Sequence, residues 1–232
     1  MDLARQHEQI TARIAGACAA AGRRVDEVTL IAVSKRHPDV AVRALAARGV
    51  VDFGENLVQA WLARQETLGD LGALRWHLIG PVQTNKARHV AKAPPALLHS
   101  LDRAALVDAL AARLGPDDAR MPVLVQVNLD REPQKAGCLV EDLEPLVDRV
   151  CATGRFALRG LMCIPADGTP DEARHAFARL RALGERVRDR VDGARVELSM
   201  GMSDDFEEAI LEGATLVRVG TALFGERAAV RQ

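Results

Sequence analysis

A lysine closes an apolar run. Val28, Thr29, Leu30, Ile31, Ala32 and Val33 lead through Ser34 to Lys35. An ammonium at the end of a buried strand must reach water or a partner. Where burial lowers its pKa, the neutral amine is a nucleophile for carbonyl compounds. The alternative is a lysine that snorkels to solvent at a loop edge. Two later stretches have anion-binding chemistry: Ser199, Met200, Gly201 and Ser203 form one, Gly220 and Thr221 the other. Glycines let backbone N–H groups approach an anion, and hydroxyls add donors. Ser203 is read as opening a helix, whose N-terminus favours negative charge. As a plain N-cap it needs no ligand. Arg218 stands inside an apolar run, two residues before Gly220. A charge there points into a site or is paired, with Glu55 or Glu212 as the alternative partners.

These residues need a scaffold, and the chain alternates in a way that supplies one. An amphipathic helix over residues 2–22 comes first. Strands are then expected at 28–33, 50–53, 74–79, 96–99, 121–128, 158–164, 195–199 and 215–219. Helices follow at 38–48, 55–68, 83–92, 103–114, 139–153, 170–191 and 204–212, with a short tail behind the last strand. The strands are rich in Leu, Val and Ile, as burial on both faces requires. Alternating strand and helix imply right-handed parallel units, and eight strands in this length imply a closed (β/α)8 TIM barrel. An open doubly wound sheet is the runner-up, but no G-x-G-x-x-G follows any strand. No linker or composition break divides residues 1–232, so a single domain is expected, with the first helix outside or across the barrel.

In such barrels the site lies at the C-terminal ends of the strands, and the last two loops most often bind phosphate. Lys35, Asn56, Ser199 to Ser203 and Arg218 to Thr221 all fall on that rim. A nucleophilic lysine beside a phosphate cradle points to a phosphorylated aldehyde. Pyridoxal 5′-phosphate (PLP) fits that description, bound as a Schiff base. Arg218 facing the pyridine nitrogen would oppose its protonation and weaken the ring as an electron sink. Asn56 and His77 are candidates for contacts to the ring or its hydroxyl. His77 alternates with Trp76, so one of the two faces the barrel interior. A core histidine satisfied by a backbone carbonyl is the alternative. Met200 and Met202 can serve as packing, and Cys163 as an inert small hydrophobe. Lys135, in Gln134-Lys135-Ala136-Gly137, guards the mouth or is a solvated loop lysine, and a second PLP site there stays open.

Bulk composition narrows the classes. The 232 residues carry 31 basic and 32 acidic side chains, a net charge of -1, which suits neither nucleic acid nor an anionic membrane. No apolar run is long enough to span a bilayer, and Met1-Asp2-Leu3-Ala4-Arg5 lacks a signal-peptide core. Cys18, Cys138, Cys151 and Cys163 are scattered and read as free thiols in a reducing cytoplasm. The six histidines have no metal-ligand spacing, so no metal site is expected.

At this point the motifs resemble the pyridoxal phosphate homeostasis protein family. They are Ala32-Val33-Ser34-Lys35, Phe53-Gly54-Glu55-Asn56, Trp76-His77-Leu78-Ile79-Gly80-Pro81-Val82-Gln83-Thr84-Asn85-Lys86, Arg159-Gly160-Leu161-Met162, Ser199-Met200-Gly201-Met202-Ser203-Asp204-Asp205 and Val217-Arg218-Val219-Gly220-Thr221-Ala222-Leu223-Phe224-Gly225. They run in order through nearly the whole chain. The resemblance implies a barrel similar to the alanine racemase N-terminal domain, with Lys35 holding PLP as a Schiff base. It implies that Ser199, Ser203, Gly220 and Thr221 hold the phosphate and that Arg218 faces the pyridine nitrogen. It further implies a cytoplasmic, often monomeric, vitamin B6 homeostasis factor without an established reaction, which buffers PLP or delivers it to PLP-dependent apoenzymes. Two departures stand out: Arg36 and His37 occupy positions where relatives commonly carry another lysine, and residues 226–232 lack a lysine pair.

The competing class is a PLP-dependent amino-acid racemase with weak activity. Alanine racemase uses a lysine and a tyrosine on opposite faces of the α-carbon, and the tyrosine comes with a second β domain and a partner subunit. This chain ends soon after its eighth strand and contains no tyrosine. His77 or Cys163 would have to substitute. A Schiff-base aldolase without cofactor also uses a barrel lysine, but does not explain two phosphate loops with Arg218.

Overall fold

Alternation along the strands decides what faces the barrel axis and what faces the helices. In the computed structural model, which describes residues 2–225, eight parallel strands close in chain order. They are β1 (Thr29–Val33), β2 (Asp52–Glu55), β3 (Arg75–Leu78), β4 (Leu97–Leu101), β5 (Met121–Gln126), β6 (Phe156–Met162), β7 (Glu197–Ser199) and β8 (Leu216–Val219). β8 closes onto β1, with Thr29 opposite Leu216 and Ala32 opposite Val219. A small apolar cluster of Ile31, Leu97, Leu124, Met162 and Leu216 fills the interior. Their strand neighbours Ala32, Leu98, Val123, Val125, Leu161 and Val217 belong instead to the large cluster shared with the helices. The same parity places Asp52, His77, His99, Ser199 and Arg218 on the inner face, because Phe53, Trp76, Leu78, Leu98, Leu198, Val217 and Val219 all pack outward. Trp76 meets Phe53 with ring centroids 5.7 Å apart in that outer layer.

The helices are α1 (Leu3–Ala20), α2 (Asp39–Ala46), α3 (Val58–Thr67), α4 (Ala87–Lys92), α5 (Ala104–Ala111), α6 (Leu143–Ala152), α7 (Pro170–Arg186), α8 (Phe206–Leu211) and α9 (Thr221–Phe224). Asp2 caps α1 by accepting from the Ala4 and Arg5 amides. The stripe Ile10, Ile14 and Cys18 buries α1 against α2, α8 and α9, outside the strands. Thr169 and Glu172 form a reciprocal capping box that starts α7 at Pro170. No helix among the described residues is long and apolar enough to cross a membrane.

Two expectations at the rim are corrected. The helix after the seventh strand begins at Phe206, with Asp205 at the N-cap, so Ser203 does not open it. The chain first completes a turn in which Asp205 Oδ1 accepts from the Met202 amide at 2.6 Å. Residues 221–224, read as tail, form α9. The departure noted in residues 226–232 lies outside the described residues.

Candidate functional site

At the C-terminal ends of the strands a cleft of about 190 Å³ is lined by Lys35, Asn56, Ser203, Arg218, Gly220 and Thr221. These are six of the ten residues singled out in the sequence. Val33, His37, Ile79, Ile164, Met202 and Asp204 complete its walls. Ser199, Met200, Gly201 and His77 are not among the lining residues.

The Lys35 loop is fixed from behind. The Ser34 amide donates to Gly54 O at 3.1 Å, continuing the β1–β2 ladder. Ser34 Oγ donates to Glu55 Oε1 at 2.8 Å, and both side chains are buried. Arg64, on α3, gathers the rest. Its Nε donates to Glu55 Oε1 at 3.2 Å and its Nη2 to Ser34 O at 3.2 Å, with further bonds to His37 O and the Asp39 carboxylate. Arg36 adopts φ 65°, the left-handed turn that brings the chain around Lys35. His37 stacks on Phe224 of α9 at 4.7 Å. The loop is thereby tied to β2, α3 and α9, while Lys35 is half-buried at the cleft.

Opposite, Ser203 Oγ accepts from the Gly220 amide at 3.3 Å and the Ala222 amide at 3.2 Å. Two N–H groups therefore converge on one oxygen at the start of α9. Gly80 lets the β3 loop approach, since a Cβ there would lie 2.2 Å from Asn56 O. Gly201 has a structural task instead. Its φ is +88°, and a Cβ would sit 2.6 Å from that of Ala209. Its carbonyl accepts from the Arg218 amide at 3.0 Å. Met200 is fully buried packing.

Arg218 is 4 % exposed and has no carboxylate within ion-pair distance among the described residues. Glu55 belongs to Arg64, and Glu212 to Arg174 and Arg181. Its Nη1 donates to Ser199 Oγ at 2.7 Å and its Nη2 to Cys163 O at 2.9 Å. Burial lowers its pKa, but a guanidinium starts high enough to stay charged. Ser199 thus serves Arg218 and is not among the residues lining the cleft, because its strand-end parity turns it inward. On its other side it meets His99 Nδ1 at 2.8 Å. His99, missed in the sequence, is followed by His77 at 2.9 Å, and His77 Nε2 by Asp52 Oδ1 at 2.9 Å. His77 lines a second cleft, of about 230 Å³, at the N-terminal mouth of the barrel with Asp52, Arg75, Arg159 and Glu197. Its rings are engaged by side chains, not by a backbone carbonyl. Burial pushes the Cys163 thiol up to about 12. Neither of the two substitutes for a second racemase base therefore lines the C-terminal cleft. Lys135 donates to Pro165 O at 2.8 Å, pairs with Glu132 and is not among the lining residues.

Comparison with known proteins places this geometry. Residues 9–228 match the alanine racemase N-terminal domain family. A protein of Pseudomonas aeruginosa named pyridoxal phosphate homeostasis protein is 46% identical over 220 residues, 94% of this chain and 93% of that one. The protein of that name from Escherichia coli is 37% identical over 97% of both chains. PipY of Synechococcus elongatus, solved with PLP bound, has 38% identity and a TM-score of 0.80, covering 91% of this chain and all of that one. Alanine racemase of Corynebacterium glutamicum shares the fold at 18% identity and a TM-score of 0.64, with 63% of its chain covered.

Proposed function

The chain belongs to the pyridoxal phosphate homeostasis proteins, built on the alanine racemase N-terminal domain, and from that premise we propose that its C-terminal cleft holds PLP through Lys35 for buffering or delivery. The protein binds PLP and acts in intracellular vitamin B6 homeostasis. The observation that carries the residue assignment is the convergence in one cleft of a lysine amine, a guanidinium without a carboxylate, and two N–H groups on one oxygen. Those donors match the three reactive ends of PLP: aldehyde, ring nitrogen and phosphate. When bound, PLP supplies an aldehyde to amines and an electron sink to carbanions. Lys35 would hold the aldehyde carbon through Nζ, and Ser203, Gly220 and Thr221, which line the cleft, would hold the phosphate. Arg218 has only donors to offer, so it keeps the ring nitrogen as an acceptor and therefore unprotonated. That choice favours holding over turnover. Asn56 lies beside Lys35 and orients the ring edge.

The reading extends to a monomer of the cytoplasm that passes PLP to apoenzymes. The exposed apolar side chains Ile164 and Met202 at the cleft suit a brief contact with such a recipient. Visible absorption with added PLP, borohydride reduction and peptide mapping test the assignment. A reducible adduct on Lys35 is expected, and Lys35→Ala should lose it while melting like the parent. An adduct that persists in Lys35→Ala would end the assignment. Thr221→Ala should weaken PLP about ten-fold and pyridoxal less than two-fold, since only PLP carries the phosphate. Equal losses would remove Thr221 from the phosphate site.

A further inference from the structure

The barrel interior contains a continuous polar string that the PLP site does not by itself require. It runs Arg218, Ser199, His99, His77, Asp52, with successive contacts of 2.7, 2.8, 2.9 and 2.9 Å. All five residues are 8 % exposed or less, and His99 and Ser199 are fully buried. Donor counting fixes its direction. Arg218 can only donate, so Ser199 Oγ accepts. An ionised Asp52 can only accept, so His77 Nε2–H donates to it. His77 Nδ1 is then the acceptor of a neutral ring, and His99 Nε2–H donates to it. His99 Nδ1 is left as an acceptor, and the Ser199 hydroxyl donates to it. Each group donates to the next, and no proton is missing or surplus.

We propose that neutral His99 is a positioning residue for Arg218: by accepting a hydrogen bond from the Ser199 hydroxyl at Nδ1 it orients Ser199 Oγ as the acceptor that holds the guanidinium against the cleft. The inference rests on the reading that Arg218 meets the PLP ring there. Adding one proton to the two rings breaks the arrangement. His77 Nδ1–H would face His99 Nε2, His99 Nδ1–H would face Ser199, and the serine hydroxyl would lose its acceptor. The added charge would sit on His77, which then carries both ring protons, between Asp52 and His99. The groups facing the rings oppose each other: Arg218 at one end disfavours that proton, and Asp52, itself shared with Arg75, favours it at the other. Glu197 and Arg159 share the N-terminal cleft with His77. Burial, then the charges of His77 and Arg218, hold the His99 pKa well below its ordinary value, in keeping with a neutral ring. The Ser199–His99 pair therefore acts on the PLP site through Arg218, from a position that touches no ligand.

Side-chain chemistry gives variants that separate the two ring nitrogens. His99→Asn keeps an acceptor near the Nδ1 position, His99→Gln keeps a donor near Nε2, and His99→Leu keeps neither. PLP dissociation constants and absorption spectra from pH 6 to 9 should leave His99→Asn within two-fold of the parent. His99→Gln, His99→Leu and Ser199→Ala should bind about five- to ten-fold more weakly, with a displaced spectral pH profile. Parent-like binding and spectra in His99→Gln and His99→Leu would overturn the proposal, as would a His99→Asn variant as impaired as His99→Leu. In the ligand-free parent, imidazole ¹⁵N shifts should show His99 protonated on Nε2 alone. Protonation on Nδ1 would overturn the proposal whatever PLP does, whereas a parent that shows the expected tautomer but binds no PLP would fault the cofactor reading instead.

Discussion

Two arginines hold the two halves of the cleft, and their partners are of opposite kinds. Arg64 sits behind the Lys35 loop and is surrounded by anions and carbonyls: Glu55, Asp39, Ser34 O and His37 O. Arg218 stands inside the barrel and among the described residues donates to neutral acceptors, Ser199 Oγ and Cys163 O. The difference follows from what each must present. The Arg64 charge is spent on the scaffold, and nothing of it needs to reach a ligand. Arg218 lines the cleft, and in the proposed reading its charge stays uncompensated there, since a carboxylate beside it would cancel the field offered to a ring nitrogen. The first negative charge along its string is Asp52, four contacts away and already shared with Arg75. Burial works against that charge, but bonds from His77 and Arg75 outweigh it and hold the Asp52 carboxyl below its ordinary pKa.

The largest test of the contrast is Arg64→Leu. It would leave Glu55, 1 % exposed, as a buried charge with only the Ser34 hydroxyl. Breaking a buried pair on one side costs about 3–5 kcal/mol. Urea unfolding should show that loss, and PLP loading should fall with it because the Lys35 loop is released. Arg64→Lys should recover only part, since a point charge cannot serve four acceptors in a plane. A loss below about 1 kcal/mol in Arg64→Leu would mean that the loop is held by something else.

A middle-sized effect distinguishes the interior string. His99 has a folded pKa well below 6.5, so the unfolded chain takes up its proton first as pH falls. Its contribution to stability is complete above that value and is lost downward from it, by up to about 1.4 kcal/mol per pH unit. His99→Leu should flatten the fall in unfolding free energy between about pH 6.5 and 5.5 by close to that amount. The Arg64 clamp contains no histidine side chain, so the intact clamp adds no histidine titration to this window. An equal slope in the parent and His99→Leu would show that the ring is not kept neutral by the fold.

How much of this could be read in advance depended on the type of signal. Eight short apolar runs, the first seven each followed by a helical pattern, are local signals, and they led to the barrel and to Lys35 at its rim. Asn56, Ser203, Gly220 and Thr221 followed because strand order decides which loops meet. Ser199 does not line the cleft while Ser203 does, because two serines of one motif, four residues apart, differ in which way the chain turns them. Ser199 still obeys strand parity and points inward, and Ser203 lies beyond the turn at Gly201. His99 carried a legible signal: it follows Leu97 and Leu98 on a strand, so it shares the inner face with Leu97. That parity was used for His77 and not for the neighbouring strand. Arg64 carried none. It stands on a helix, 29 positions after Lys35, and only the closed fold brings it behind that loop. α9 has four residues, too few to show a period.

The smallest effect compares two serines. Ser34 Oγ donates to Glu55, which keeps its bond to Arg64 when the hydroxyl is removed, so no charge is stranded. Ser34→Ala should cost about 1 kcal/mol. Ser199 accepts from Arg218 and engages His99, both buried, and neither contact is duplicated at the atom it satisfies. Ser199→Ala removes an acceptor from a guanidinium and a donor from a ring at once, so its cost should exceed that of Ser34→Ala by about 1 kcal/mol or more. Chemical denaturation of the two variants side by side reads the difference. Equal costs would mean that the interior string is as redundantly bonded as the clamp, and the contrast between a scaffold arginine and a presented one would lose its energetic basis.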